Sequence, residues 1–275
     1  MNQRAKNFTI HGVLLIYTAI AVLPILLVVF NAFKTRRAIF SDPLSLPGPS
    51  SFSLKGFMRV LSLTDFELYF LNSLTVTLVT LALVLLFAAM AAWALSEYAF
   101  RGRLLLGAFF ALGIMVPIRL GTVSILELMV DLNLTNTLTA LILVYTAQGL
   151  PLAIFILGEF ISQVPRDLKD AARCDGVGEI AIFFAIIVPL IRPAIATVAI
   201  FVMVPIWNDL WFPLILSPGE GKQTITLGVQ QFVGQYVTDW NAVLASLTLA
   251  IVPVLVLYLI FSRQLVRGLT AGAVK

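Results

Sequence analysis

The sequence predicts an all-α integral membrane protein, and three observations predict it. Of the 275 residues 60% are hydrophobic and only 12% charged, against roughly a quarter charged in soluble domains. Mean hydropathy is +1.01. Apolar runs of about 20 residues, enough at 1.5 Å per residue to cross ~30 Å of hydrocarbon, recur along the chain. They predict six spans, over residues 10–33, 70–95, 104–124, 138–160, 182–214 and 242–264, the fifth interrupted by prolines.

The first run, Ile10 to Phe30, follows Arg4 and Lys6 as a secretory signal would. It is too long for one and lacks a small-residue cleavage site before Lys34, so it is expected to remain as a helix. In the segment 34–69, Pro43, Pro47, Gly48 and Pro49 stand among serines and predict an extended connector. Its end, Leu54 to Tyr69, reads either as a short helix lying on the membrane or as a plain link. The second span closes in ALSEYAFRGR, with Trp93 and Tyr98 expected at interfacial depth and Arg101 and Arg103 on the cytoplasmic side. The third runs to Pro117. The half-apolar stretch beyond it, with Arg119, Glu127 and Asp131, reads as an outer connector, and Asn133 and Asn136 as turn and cap residues. Pro151 in the fourth span, beside Gln148 and Gly149, removes a backbone hydrogen bond. A membrane tolerates that only where protein or water covers the freed carbonyl, so this span is expected to face protein. The chain reads as one folding unit, an N-terminal helix and outer connector (1–69) leading into a transmembrane domain (70–275).

Lys and Arg favour cytoplasmic loops. With the N-terminus inside, 11 fall on the cytoplasmic side (Arg4, Lys6, Arg101, Arg103, Arg166, Lys169, Arg173, Arg192, Arg263, Arg267, Lys275) and 7 outside (Lys34, Arg36, Arg37, Lys55, Arg59, Arg119, Lys222). Lys34, Arg36 and Arg37 argue locally for the reverse, so the vote comes from the later loops. The formal charge of +4 is scattered through loops and forms no stripe with interleaved aromatics, which argues against nucleic-acid binding. One cysteine, Cys174, and one histidine, His11, exclude an internal disulfide and a Cys/His metal cluster. They also leave no nucleophile–base constellation for an intramembrane enzyme.

Charged residues and a glycine turn interrupt this apolar chain at PRDLKDAARCDGVGEIAIFFAIIVPLIRP, residues 165–193. Pro165 suits the first turn of a short helix and Asp167 its positive end. A helix from Pro165 to Cys174 is predicted, with Arg166, Asp170 and Arg173 spaced to pair across one face. Ala171 and Ala172 offer almost no side chain, which lets another protein approach the backbone. Gly176 supplies a positive φ to turn the chain, and a second helix, Glu179 to Val188, leads back to the membrane before Pro189 and Pro193 re-aim it.

The run Asp170, Ala171, Ala172, Arg173, Cys174, Asp175, Gly176, followed by Pro189 and Pro193, resembles the cytoplasmic coupling loop (here 162–181) of permease subunits of ATP-binding-cassette importers. The family's usual residue at position 170 is Glu, one methylene longer. The stretches ATVAIFVMVPIWNDLWFPLIL, TITLGVQQFVGQYVTDWNAVLA and RQLVRGLTAGAVK are similar to the carbohydrate-uptake branch, to its smaller six-helix permease of maltose-transporter type. The resemblance implies a six-helix type I, MetI-like permease fold in a bacterial inner membrane. Asp170, Ala171, Ala172, Asp175 and Gly176 would contact an ATPase, with Pro165, Pro189 and Pro193 ending the segments. It also implies a second permease, two cytoplasmic ATPase subunits that bind ATP and Mg²⁺ themselves, and an outer solute-binding protein. No cofactor is expected in this chain.

Trp207, Asn208 and Asp209 sit near the outer end of the fifth span. Polar groups at membrane depth mark either the translocation path or a helix end held by caps and an aromatic anchor, and both readings stay open. Gly219-Glu220-Gly221-Lys222 lacks the spacing of a phosphate-binding loop, and Gln223 stands where the magnesium-binding hydroxyl belongs. An ion-coupled secondary carrier is the alternative class. It needs ionisable groups near the midplane, where these spans hold almost none.

Overall fold

The computed structural model describes residues 3–234 and 238–271. Lys275 and parts of two stretches that carry the resemblance (235–237 and 272–275) lie outside them. Among the described residues, three unbent helices are long and apolar enough to span a membrane: α1 (Gln3–Ala32, its apolar part from Asn7), α4 (Phe66–Glu97) and α7 (Leu138–Ser162). Two predicted spans are broken. The third consists of α5 (Arg103–Met115), a tight turn over Ile118–Gly121 and α6 (Thr122–Asp131), bent by 88°. Pro117 forces the bend, because it drives Val116 into an extended conformation (φ −87°, ψ 117°). The outer stretch expected as a connector is therefore largely helical.

The fifth span bends by 77° between Leu190 and Arg192. Its first limb holds α9 (Glu179–Ile182), a wide π turn over Phe183–Ile187 and α10 (Val188–Leu190); its second is α11 (Arg192–Asn208). Pro189 lies inside the first limb and does not end it. Pro193 sits in the first turn of α11, where a missing N–H costs nothing. Short helices α12 (Trp211–Leu216) and α13 (Ile225–Gln230) precede α14 (Trp240–Ala271), whose apolar part runs Trp240–Val256.

The backbone divides into two compact units. The first, residues 1–67 and 228–252, contains α1, then α2 (Arg36–Ser41) in the segment expected as extended chain, and α3 (Lys55–Leu63) where a short surface helix or a plain link was expected. Thr35 caps α2 by accepting from the Ala38 N–H. Helix α3 turns Gly56 and Val60 inward and leaves Met58 and Leu61 exposed, the amphipathic pattern of the surface-helix reading. Lys34 is fully buried, its ammonium donating to the Asp42 carbonyl at 2.9 Å, and Asn241 donates to the Lys34 carbonyl at 2.7 Å. This lysine is a structural group and no longer speaks for a reversed first helix. A Cβ at Gly56 would lie 2.3 Å from the Asn241 carbonyl oxygen, so only glycine fits there. Arg59 pairs with Asp239 nearby.

The second unit, residues 68–227 and 253–275, carries the main core. The stripe Val76, Thr77, Thr80, Val84 and Ala88 of α4 is buried, as are Leu141, Val144, Ile154 and Leu157 of α7 and Val198 and Val202 of α11. The three helices meet at Gly149, whose absent Cβ would stand 3.0 Å from Val84 and 3.5 Å from Val202. Close backbone approach of this kind stabilises helix packing in lipid, where apolar burial alone gives no driving force. Gly113 of α5 leaves similar room for Pro151: a Cβ there would lie 2.9 Å from the proline ring. Gly113 thus packs on the ring of the kinking proline, while Ala147, whose carbonyl that proline frees, is exposed.

Candidate functional site: a braced polar helix and its anchor

Helix α8 (Arg166–Cys174) forms as its sequence dictates. Asp167 stands in its first turn and Arg173 in its last, each complementing the helix dipole. Its end is a Schellman closure: the Val177 N–H donates to the Ala172 carbonyl at 3.0 Å and the Gly176 N–H to the Arg173 carbonyl at 3.0 Å. Gly176, at φ +78°, supplies the left-handed residue this closure requires.

One face of α8 is anchored. Lys169, only 5% exposed, places Nζ 2.5 Å from Glu97 Oε2 at the end of α4, and lies 5.5 Å from the centre of the Trp93 ring. Arg173 donates to Glu97 Oε1 at 2.7 Å, to Asp170 at 2.9 Å and to Glu179 at the start of α9 at 2.7 Å. The Tyr98 hydroxyl donates to Glu179 at 2.6 Å. Hydrogen bonds to Glu179 and then Glu97 hold the Arg173 guanidinium well above its already high ordinary pKa, so its charge is fixed. Partial burial and the Glu179 carboxylate push the Tyr98 hydroxyl up, keeping it a donor. The network ties α8 to both α4 and α9 through charge-assisted bonds, which are about twice as strong as neutral ones.

The sequence expectations divide here. Asp170, Ala171, Asp175 and Gly176 are exposed. Ala172 is buried and packs into the core, so its small side chain serves the fit of α8 on its own bundle and does not face outward. Asp170 pairs with Arg173; Arg166 makes no ion pair among the described residues. Trp93 is a core residue, 6% exposed and edge-on to Tyr98. Sequence reasoning missed Glu97, Lys169 and Glu179 as a set, and also Leu168, which is 48% exposed one turn before Ala171 on the outward face. Glu97 was the available signal, an acid beside a basic turn at the end of an apolar span.

At the far end of α11, Trp207 is buried and edge-on to Phe70, their centres 6.0 Å apart. Asp209 accepts from Tyr145 at 2.8 Å, from Arg119 at 3.1 Å and from the Phe212 N–H at 3.0 Å, the last capping α12. Asn208 is exposed and donates back to the Val204 carbonyl of its own helix at 2.8 Å. The three neighbours thus have three different surroundings. Lys222 and its glycines form a turn pinned by Asn72, which donates to the Gly221 and Gln223 carbonyls. Asn136, at φ +58°, accepts from the Gly219 N–H, while Thr137 caps α7.

The family model described as "Binding-protein-dependent transport system inner membrane component" matches residues 4–271. The diacetylchitobiose uptake system permease protein NgcG of Streptomyces coelicolor is 33% identical over 264 residues, 95% of this chain and 87% of that protein. The arabinooligosaccharides transport system permease protein AraQ of Halalkalibacterium halodurans is 33% identical over 260 residues, 93% of this chain and 92% of that one. In fold, the chain matches one from a bacterial ABC transporter involved in the import of the acidic polysaccharide alginate, with a TM-score of 0.80 and 21% identity over 96% of this chain and 98% of that one. The chain belongs to the family of binding-protein-dependent transport system inner membrane components.

Proposed function

We propose that this chain is one of two permease halves of an ATP-driven importer of sugars or oligosaccharides, which an outer binding protein delivers and two cytoplasmic ATPases power. Asp170, Ala171, Asp175 and Gly176 form the ATPase contact, with Leu168 added to it. Ala172 supports it from behind. The observation that carries this reading is the two-sidedness of α8: its outward face presents Leu168 and Ala171 between acids, while Lys169 and Arg173 bolt its inner face to α4 and α9. A helix held this rigidly transmits a push as a rigid-body motion.

ATP binding shifts the bundle only by its preference for one of two states, and delivery of solute outside then raises ATP turnover inside by linkage. The carbohydrate assignment draws on relatives named for diacetylchitobiose and arabinooligosaccharide transport. Trp207 and Asp209 hold the helix end, leaving Asn208 as the member of that trio open to solute. Reconstitution of the permease pair with its ATPase and binding protein tests the reading. Import of a saccharide that stops without ATP supports it, and import by the permease alone, driven by an ion gradient, overturns it.

A further inference from the structure

Two hollows meet at Arg103, where α5 begins. The first, of about 560 Å³, lies between the ends of α4 and α7, the start of α5 and the inner side of α8. Arg103, Arg166, Lys169 and Arg173 line it against only Glu97 and Asp170, an excess of two positive charges. Lys169 and Arg173 are already held by Glu97, so the excess rests on Arg103 of α5 and Arg166 of α8. Leu168 and Ala171, on the outward face of α8, take no part in this lining.

The second hollow, of about 1070 Å³, is a groove that runs from Arg103 along α5 past Leu104, Gly107 and Ala111, with Leu95 of α4 beside them. Arg103 is the one charged residue in its lining. Gly107 has open space where a Cβ would stand, no residue of α5 is buried, and Leu104 is 89% exposed. An occupant of both hollows must therefore carry an anion at one end and an apolar chain at the other, joined near Arg103. An acidic side chain of a protein partner would answer the cationic cup and leave the groove unfilled. A phospholipid answers both: its phosphodiester oxygens accept from guanidinium forks, and its methylenes lie on leucine and alanine. Zwitterionic headgroups bring a cation of their own into a cup that already holds two in excess, so a net-anionic headgroup is favoured. Basic pockets between membrane helices on the cytoplasmic side recognise such headgroups.

We propose that α5 and α8 form a site for one anionic phospholipid of the cytoplasmic leaflet: its phosphate bridges Arg103 and Arg166, and an acyl chain fills the groove along Leu104, Gly107 and Ala111. The lipid thereby ties α8 to α5, which the ion pairs of Glu97 and Glu179 leave out of the network. This inference does not depend on which solute is carried.

The test uses the complete importer in phosphatidylcholine nanodiscs, with a small fraction of either phosphatidylglycerol or phosphatidylcholine that carries a diazirine in its acyl chain. After irradiation, lipid adducts are mapped by mass spectrometry. The phosphatidylglycerol probe should label residues 104–111 about twenty-five times more than its phosphatidylcholine counterpart, about fivefold for each uncompensated cation. Unlabelled phosphatidylglycerol should displace it, and inorganic phosphate should not. R103Q and R166Q should each lower the preference about fivefold, with R103K and R166K keeping most of it. Should a glutamine variant fail to assemble, the headgroup comparison and the competition on the wild type decide the matter. Equal labelling by the two probes, no labelling of 104–111 by either, displacement by inorganic phosphate, or an undiminished preference in assembled glutamine variants overturns the proposal.

Discussion

Lys169 Nζ on α8 stands 2.5 Å from Glu97 Oε2 at the end of α4, and both side chains are largely shielded from water. The pair joins a short exposed helix to a helix long enough to span the membrane.

Removing Glu97 leaves a buried ammonium and one guanidinium bond unmet. Loss of one partner from a buried ion pair costs about 3–5 kcal/mol, so E97A should lower the thermal stability of the purified complex sharply and lower import per ATP hydrolysed. K169M should be milder, because the methionine fills the same space and Glu97 keeps Arg173. Thermal unfolding of both variants checks the order, and equal losses would contradict it.

Gly176 has open space around its missing Cβ, so a side chain there meets only backbone strain. A left-handed conformation costs an ordinary residue roughly 1–2 kcal/mol and asparagine less. G176V should therefore reach the membrane and assemble, yet lose coupling between hydrolysis and import. G176N should fall between it and the wild type. Normal import by G176V would count heavily against α8 as the lever.

Asp209 collects bonds from Tyr145, Arg119 and the Phe212 N–H. D209A leaves the Tyr145 hydroxyl unmet, at about 1–3 kcal/mol for a buried donor, and removes the cap of α12 as well. Unfolding temperature should fall further for D209A than for Y145F, while both variants that survive purification discriminate among saccharides as the wild type does. A changed order of saccharide preference would place Asp209 on the solute path instead.

Cys174 is exposed on α8 and is the chain's one cysteine. A membrane-impermeant maleimide should label it in inverted vesicles and not in intact cells, and bound ATPase should slow the labelling. Labelling from outside the cell would reverse the assigned topology.

Much of this was legible in the sequence because its signals are local. The Gly176 bend and the α8 boundaries follow from Pro165, Asp167 and a glycine in fixed order, and apolar length alone marks α1, α4 and α7. What stayed hidden depends on partners distant in the chain. Composition cannot say that Lys169 meets Glu97, 72 positions away, nor that Ala172 turns inward while Ala171 turns outward. Proline positions announced bends, but whether Pro189 or the step before Pro193 would break the fifth span depends on how the π turn over Phe183–Ile187 absorbs the first of them. The proline-rich segment after α1 hid α2, because its helix is short and held by a single threonine cap.

The outward face of α8 as the ATPase contact is tested most directly by a photo-crosslinking benzoylphenylalanine at Ala171, with the same residue at Phe155 as the lipid-side control. Irradiation of the assembled importer should join the chain to its ATPase subunit from position 171 and not from 155. An importer that transports normally yet gives no ATPase adduct from 171 would contradict the account.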